Sequence, residues 1–168
     1  FSSTAGQPLR ADAAALQKMD ASQLRAVFQS SPSNPIVGLD GRASLLARLG
    51  QVLQQEAQRS GLQARPGLMF DRIVTDAATG QARSTVTAAD VLGELLRTLA
   101  PIWPSGSVIK GVPVGDVWPH RWAGNLLADG STDAVTAGWV PFHKLSQWLS
   151  YSLLEPLQWA GVQVTGLD

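Results

Sequence analysis

Glycine and proline crowd one segment of this chain and limit what that segment can fold into. Residues 101–141 contain six glycines and five prolines. Because proline cannot continue a helix and glycine weakens helices and strands alike, no long regular element is expected there. One short strand is predicted over 107–114, and the remainder is predicted to be loop with at most one short helix. A loop of this length within a compact domain is usually functional.

The first hundred residues show the opposite pattern, because their apolar residues recur with the period of an α-helix. Asp20 with Gln23, and Thr87 with Asp90, have the spacing of helix N-terminal capping boxes. No alternation typical of strands is present in this half. Helices are therefore predicted over 11–19, 20–30, 40–61, 65–77 and 87–100, with Asp40 capping the third helix and Gly61 ending it.

The predicted fold is mainly α, with a single domain over 1–168. Within it, 1–100 forms a helical scaffold and 101–168 forms a loop-rich region that carries the site. All six tryptophans, both histidines and the only tyrosine lie after residue 100. This concentration of chemically versatile side chains places the predicted site in the second part of the chain.

Composition excludes several classes of protein. Apolar residues make up 45% of the chain and the formal net charge is zero, so disorder and non-specific nucleic-acid or membrane binding are not expected. Cysteine is absent, which excludes disulfides and thiol catalysis and favours a cytoplasmic protein. The first residues lack the pattern of a signal peptide. Since the chain begins with Phe1 and not with methionine, we expect it to be a piece of a longer chain.

A helix is predicted after Pro141, with a polar stripe on one side. The stripe comprises Lys144, Gln147, Tyr151 and Glu155, and His143 lies beside it. Phe142, Leu145, Leu149 and Leu153 fall on another side of the same helix. We predict that 142–155 is largely buried, with its polar stripe facing a cavity that binds a ligand, and that Pro156 ends the helix. The alternative interpretation is an ordinary solvated face.

Asp116 and His120 form a second candidate group, interleaved with Trp118. A carboxylate and an imidazole beside aromatic rings suit general acid–base catalysis, and we expect both to converge with His143. The alternative is a turn that Asp116 caps and whose tryptophans fill the core.

Ser131 and Thr132 form a third group. They could hold a phosphate with Lys144 as counter-charge, or form a plain polar turn. A zinc site from His120, His143 and an aspartate rests on no motif spacing. No motif identifies a cofactor, and no pattern indicates an oligomeric state.

Several segments resemble the Urc/Urg family of fungi and bacteria. They are GVPVGDVWPH at 111–120, VPFHKLSQWLSYSLLEPLQWAGV at 140–162, and shorter stretches near 8–17, 34–50 and 70–74. The resemblance covers nearly the whole chain and implies a role in uracil catabolism, with family members longer at both ends. It implies a nucleotide-like small-molecule substrate, whose ring Trp118 and other aromatic side chains would hold.

The function expected from this resemblance is a hydrolase acting on a uracil-derived ribosyl or ring-opened intermediate, with an N-glycosidic or amide bond as its target. The catalytic candidates are Asp116 and His120. The binding candidates are Trp118, Ser131, Thr132, His143, Lys144, Gln147 and Tyr151. Two alternatives remain: a non-catalytic protein that binds a pathway intermediate, and a structural part of a larger protein whose catalytic residues lie elsewhere.

Overall fold

A computed structural model describes residues 1–123 and 135–167. The chain divides into two compact units, Phe1–Leu68 and Met69–Asp168. The interpretation of 1–168 as one domain stays a prediction. In the described part of the chain, no helix is both long enough and apolar enough to cross a lipid bilayer.

The first unit is a small helical bundle. Its helices are α1 (Ala13–Gln17), α2 (Ala21–Val27) and α3 (Leu39–Ser60). The capping box predicted at Asp20 and Gln23 is confirmed, and Gly61 ends α3 as predicted. The N-cap of α3 was predicted wrongly, because the helix is capped by Gly38 in a left-handed conformation and Asp40 lies in its first turn.

The core of this unit lies between the long helix α3 and the two short helices. One buried cluster joins Ala13 and Leu16 of α1 to Leu53 of α3. A second joins Leu24 of α2 to Leu39 and Ala43. The helices α1 and α3 approach closely at Gly50, where a Cβ atom would lie 2.7 Å from the carbonyl oxygen of Ala13. A glycine is therefore required at this crossing for steric reasons.

The second unit combines helices with a parallel strand pair. Helix α4 (Gly67–Ile73) spans the division between the units, and strand β1 (Thr85–Thr87) leads directly into α5 (Ala88–Leu99). A 3-10 turn, Ala100–Ile102, follows α5. Thr87 and Asp90 form the predicted capping box of α5. The strand β6 (Gln163–Thr165) pairs with β1 in parallel. The buried apolar side chains of this unit come from these elements and from the residues just before β6: Ile73, Val86, Val91, Leu95, Leu99, Leu157 and Val162.

Two antiparallel ribbons follow α5. The first pairs β2 (Val108–Ile109) with β3 (Val112–Pro113), and the second pairs β4 (Val117–Pro119) with β5 (Trp139–Pro141). In the second ribbon Val117 lies opposite Pro141, and Pro119 lies opposite Trp139. Helix α6 (Lys144–Ser152) begins just after β5, and α7 (Leu154–Trp159) follows it after one residue.

The fold is mixed α and β, which corrects the prediction of a mainly α chain. The strands within residues 1–123 and 135–167 are each three residues or fewer, too short to show an alternating pattern in the sequence. The segment 107–114 forms a hairpin and not one strand, because Lys110 and Gly111 both have a positive φ and reverse the chain. Two ribbons therefore occupy part of the region predicted to be a long loop.

The close approach at Gly50 predicts an unusual response to alanine. Alanine normally stabilises a helix relative to glycine. Gly50→Ala should nevertheless lower the free energy of unfolding by about 1–3 kcal/mol, because its methyl group would overlap the backbone of α1. Gly41→Ala is the matched control on the same helix, since a Cβ atom there meets nothing within 4 Å. Urea unfolding measures both, and equal stability of the two variants would contradict the packing argument.

Asp12 predicts a pH dependence for the first unit. Its carboxylate accepts hydrogen bonds from the backbone N–H groups of Ser3 at 2.8 Å and Ala15 at 3.0 Å. These bonds lower the pKa of Asp12 to about 2, and the bond from Ser3 has the largest effect. Because the folded-state pKa lies below the unfolded value of about 3.9, the contribution of Asp12 is complete above that value and is lost as the pH falls towards 2.

Asp12→Asn should therefore unfold at lower urea concentration than the wild type at pH 6, since an amide oxygen accepts for only one of the two donors. The difference between the two midpoints should shrink as the pH falls from 5 to 2. A difference that stays constant over this range would show that the charge of Asp12 is not involved.

Candidate functional site

The carboxylate of Asp116 lies buried where the second ribbon meets α6. Asp116 is 4% exposed and immediately precedes β4. The backbone N–H of Phe142 donates to the carbonyl oxygen of Asp116 at 2.9 Å, which extends the β4–β5 pairing by one residue. The ribbon thus places Asp116 next to the residues that begin α6.

Two side chains of this segment contact the Asp116 carboxylate. His143 Nδ1 lies 2.6 Å from Oδ1, and the Ser146 hydroxyl donates to Oδ2 at 3.0 Å. Both carboxylate oxygens are therefore bonded, as a buried carboxylate requires. The Ser146 side chain is buried as well, whereas the His143 side chain is 29% exposed.

The pairing with Asp116 fixes the role of each imidazole nitrogen of His143. An ionised carboxylate can only accept hydrogen bonds, so opposite an ionised Asp116 it is His143 Nδ1 that carries the proton and donates it. In the neutral imidazole Nε2 then has the lone pair and can accept a proton. An imidazole oriented by a carboxylate and reachable from solvent is the arrangement that general-base catalysis uses.

The backbone before Asp116 is held by tight packing. Gly115 has a φ of +70°, and a Cβ atom there would lie 3.2 Å from Trp103 Cδ1. The hydroxyl of Ser105 donates to the carbonyl oxygen of Gly115 at 2.6 Å. These contacts hold the backbone of Gly115, the residue immediately before Asp116, in place.

A cleft of about 220 Å³ lies beside α6. The residues just after β6 and the first turns of α5 complete its lining. Gln147 and Tyr151 line it together with Ser150, Ala88 and Leu92. Gln147 follows His143 by four residues and Tyr151 follows it by eight. The three side chains therefore emerge on the same side of the helix.

His120 lies further along the second ribbon than Asp116. The backbone N–H of His120 donates to Gly138 at 2.7 Å, at the end of the ribbon away from Asp116. At about 3.3 Å per residue, the four residues from Asp116 to His120 span roughly 13 Å. The Asp116 carboxylate contacts His143, whereas the imidazole Nδ1 of His120 accepts from the backbone N–H of Trp122 at 3.3 Å. The convergence of both histidines on one site stays a prediction.

The other predicted residues differ in their surroundings. Trp118 lies on β4 opposite Val140 and is 46% exposed. Lys144 and Glu155 are exposed, and neither lines the cleft that contains Gln147 and Tyr151. Ser131 and Thr132 lie outside the described residues. Among the described residues, no group of three or more His, Cys, Asp or Glu side chains could hold a metal ion.

The prediction of one largely buried helix over 142–155 is wrong. The helix breaks at Leu153, and Pro156 lies in the first turn of α7 instead of ending a helix. Ser146 is the one buried residue of α6. Of the predicted apolar side, Phe142, Leu145 and Leu149 are 53%, 54% and 39% exposed and Leu153 is half-buried. Trp148 is 70% exposed.

Sequence reasoning missed Ser146, although it makes the second contact to Asp116. The available signal was its spacing of three residues from His143, which puts both on adjacent turns of one helix. Serine is common on solvated helix faces, so this spacing alone does not distinguish a buried serine from an exposed one.

The chain belongs to the family described as a protein of unknown function, DUF1688, whose profile matches residues 1–168. It is also similar to two curated proteins whose names confirm the resemblance to the Urc/Urg family. It is 37% identical to Uracil catabolism protein 4 of Lachancea kluyveri over 139 residues, which cover 82% of this chain and 31% of that protein.

The second relative is Protein urg3 of Schizosaccharomyces pombe, at 34% identity over 158 residues, which cover 94% of this chain and 34% of that protein. The chain thus spans about a third of the length of the curated relatives it matches. No solved structure matches the chain.

The contact of Ser146 with Asp116 predicts a specific loss of stability. Ser146→Ala leaves Oδ2 of a buried carboxylate without this donor and should lower the free energy of unfolding by about 1–3 kcal/mol. Ser150→Ala is the control on the same helix, because the Ser150 hydroxyl donates only to the carbonyl oxygen of Gln147 within that helix. Urea unfolding with equal losses for the two variants would show that the contact contributes little.

Proposed function

We propose that this chain carries the catalytic general base of a hydrolase that acts in uracil catabolism on a carbon–nitrogen bond. The observation that carries the proposal is the 2.6 Å contact between His143 Nδ1 and the buried carboxylate of Asp116. The names of the two relatives support the pathway. The substrate proposed is a uracil-derived ribosyl or ring-opened intermediate.

In the proposed reaction, Nε2 of His143 takes a proton from water. The water oxygen forms a bond to the electrophilic carbon, either the anomeric carbon or a ureido carbonyl, while the bond from that carbon to nitrogen breaks. The proton held by His143 then passes to the leaving nitrogen. Asp116 keeps the imidazole in the required tautomer and stabilises the imidazolium that forms. Asp116 is thus a positioning residue, and His143 takes the base role first expected of Asp116 and His120.

The cleft along α6 supports a small polar substrate; Gln147 and Tyr151 line it, and His143 lies outside its lining, before the first turn of the same helix. Gln147 lies about 6 Å and Tyr151 about 12 Å along the helix axis from His143, at 1.5 Å per residue. The amide of Gln147 can both donate to and accept from a pyrimidine or ureido group, and the Tyr151 hydroxyl can do the same. A ligand in this cleft would meet these two groups, and in the proposal its reactive carbon extends beyond the cleft towards His143.

A binding protein for a pathway intermediate is the second candidate, and the same cleft favours it. The cleft requires Gln147 and Tyr151 but makes no use of the Asp116–His143 pair. The two candidates differ in the effect of His143 substitutions, which should abolish turnover in an enzyme and leave ligand binding intact in a binding protein.

Substitutions at His143 and Asp116 test the enzyme proposal in the full-length protein. His143→Gln should abolish uracil-dependent growth, because the substitution removes the proposed proton acceptor Nε2. Asp116→Asn should reduce turnover about 10²-fold or more, since an amide can favour the wrong imidazole tautomer. His120→Gln is the control and should grow as the wild type does.

Products formed from candidate ring-opened nucleotides are followed by mass spectrometry, and melting temperatures show whether each variant is folded. Normal growth and normal product formation by folded His143→Gln would overturn the catalytic role and leave the binding protein as the better candidate.

A further inference from the structure

A second cleft of the Met69–Asp168 unit lies beside α5 and has a volume of about 340 Å³. Three arginine side chains line it, and each comes from a different segment. Arg72 lies on α4, Arg83 lies just before β1, and Arg97 lies on the last turn of α5. Asp90 and Glu94 of α5 line the same cleft, so its lining carries one more positive than negative side chain.

The two carboxylates hold the arginines in fixed orientations. Arg83 Nη2 donates to Asp90 Oδ2 at 2.8 Å, and the same carboxylate oxygen accepts from the backbone N–H of Thr87 at the start of α5. These bonds lower the pKa of Asp90, and the bond from Thr87 has the largest effect. The Asp90 carboxyl is therefore ionised at neutral pH. Arg83 is therefore anchored to a helix end and not to a mobile surface side chain.

Glu94 acts in the same way on the other two arginines. Its Oε2 accepts from Arg97, and its Oε1 lies 3.6 Å from Arg72 Nη1 and accepts from the Thr98 hydroxyl. The Glu94 side chain is only 11% exposed. A network with a nearly buried centre orders long side chains that would otherwise lose conformational freedom when a ligand binds.

We propose that this cleft binds the phosphate group of a small phosphorylated ligand. A guanidinium has five N–H donors and one carboxylate accepts at most two of them in a paired geometry, so Arg83 retains donors for a further anion. Guanidinium groups arriving from three segments match the several oxygens of a tetrahedral phosphate better than the two oxygens of a carboxylate. The inference is independent of the hydrolase proposed for His143.

The absence of a side chain at Gly93 leaves space in the cleft for a phosphate group. Gly93 lies on α5 between Asp90 and Arg97 and lines the cleft, and a Cβ atom on it would meet nothing within 4 Å. A side chain at this position would therefore enter the cleft without disturbing the protein around it. Because leucine favours helices more than glycine does, Gly93→Leu should fold at least as well as the wild type.

Isothermal titration calorimetry of the chain with inorganic phosphate, at constant ionic strength, tests the proposal. The wild type should bind phosphate more tightly than acetate. Arg83→Gln should weaken phosphate binding about tenfold or more, as expected for loss of a charge-assisted hydrogen bond. Gly93→Leu should abolish binding while its melting temperature stays equal or rises. His143→Gln should bind phosphate as the wild type does, which separates this test from that of the proposed hydrolase.

Arg121→Gln is the matched control for Arg83→Gln. It removes the same charge from a position outside the cleft, where the guanidinium carbon lies 5.2 Å from the ring centroid of Trp122. It should bind phosphate as the wild type does. Absence of phosphate binding by the wild type, or binding by Gly93→Leu equal to that of the wild type, would overturn the proposal and leave the arginines as a structural ion-pair network.

Discussion

The buried carboxylate of Asp116 is the interaction on which the arrangement around α6 depends. A carboxylate that is 4% exposed is stable only if both oxygens are bonded, and the partners come from His143 and Ser146. These contacts join the beginning of β4 to the first turn of α6. The position of His143 then determines where Gln147 and Tyr151 emerge further along the helix. The contacts of Asp116 thus connect the ribbon to the helix that also carries Gln147 and Tyr151 of the cleft.

The local signals in the sequence predicted the helical elements well. The capping boxes at Asp20 and Thr87 and the end of α3 at Gly61 depend on residues within one turn of each other, which a sequence displays directly. The strands were not predictable in this way. Strand β1 has three residues, and its partner β6 lies at the other end of the second unit. Such a strand is stabilised by long-range pairing and not by local preference.

The chemistry of the candidate site was predictable in its residue types but not in its pairing. Asp116, His143, Gln147 and Tyr151 were all singled out from the sequence. Which histidine meets Asp116 depends on the β4–β5 register, with Val117 opposite Pro141, and no local pattern specifies this register. His120 is much closer to Asp116 in sequence than His143 is, yet an extended strand carries it away. Proximity in sequence therefore does not indicate which histidine contacts the carboxylate.

The outer face of α6 shows that apolar periodicity in a sequence does not identify which face of a helix is buried. The pattern Phe142, Leu145 and Leu149 indicates two unlike faces but not which of them is buried. In the structure the inner face carries Ser146, and the apolar residues are exposed together with Trp148 at 70%. Apolar burial stabilises by about 25 cal/mol per Å² removed from water, so the parts of these side chains that stay in water add nothing to holding α6 in place. The contacts of His143 and Ser146 with Asp116 add polar anchoring to the partial burial of Leu145 and Leu149, and the apolar periodicity alone does not reveal that anchoring.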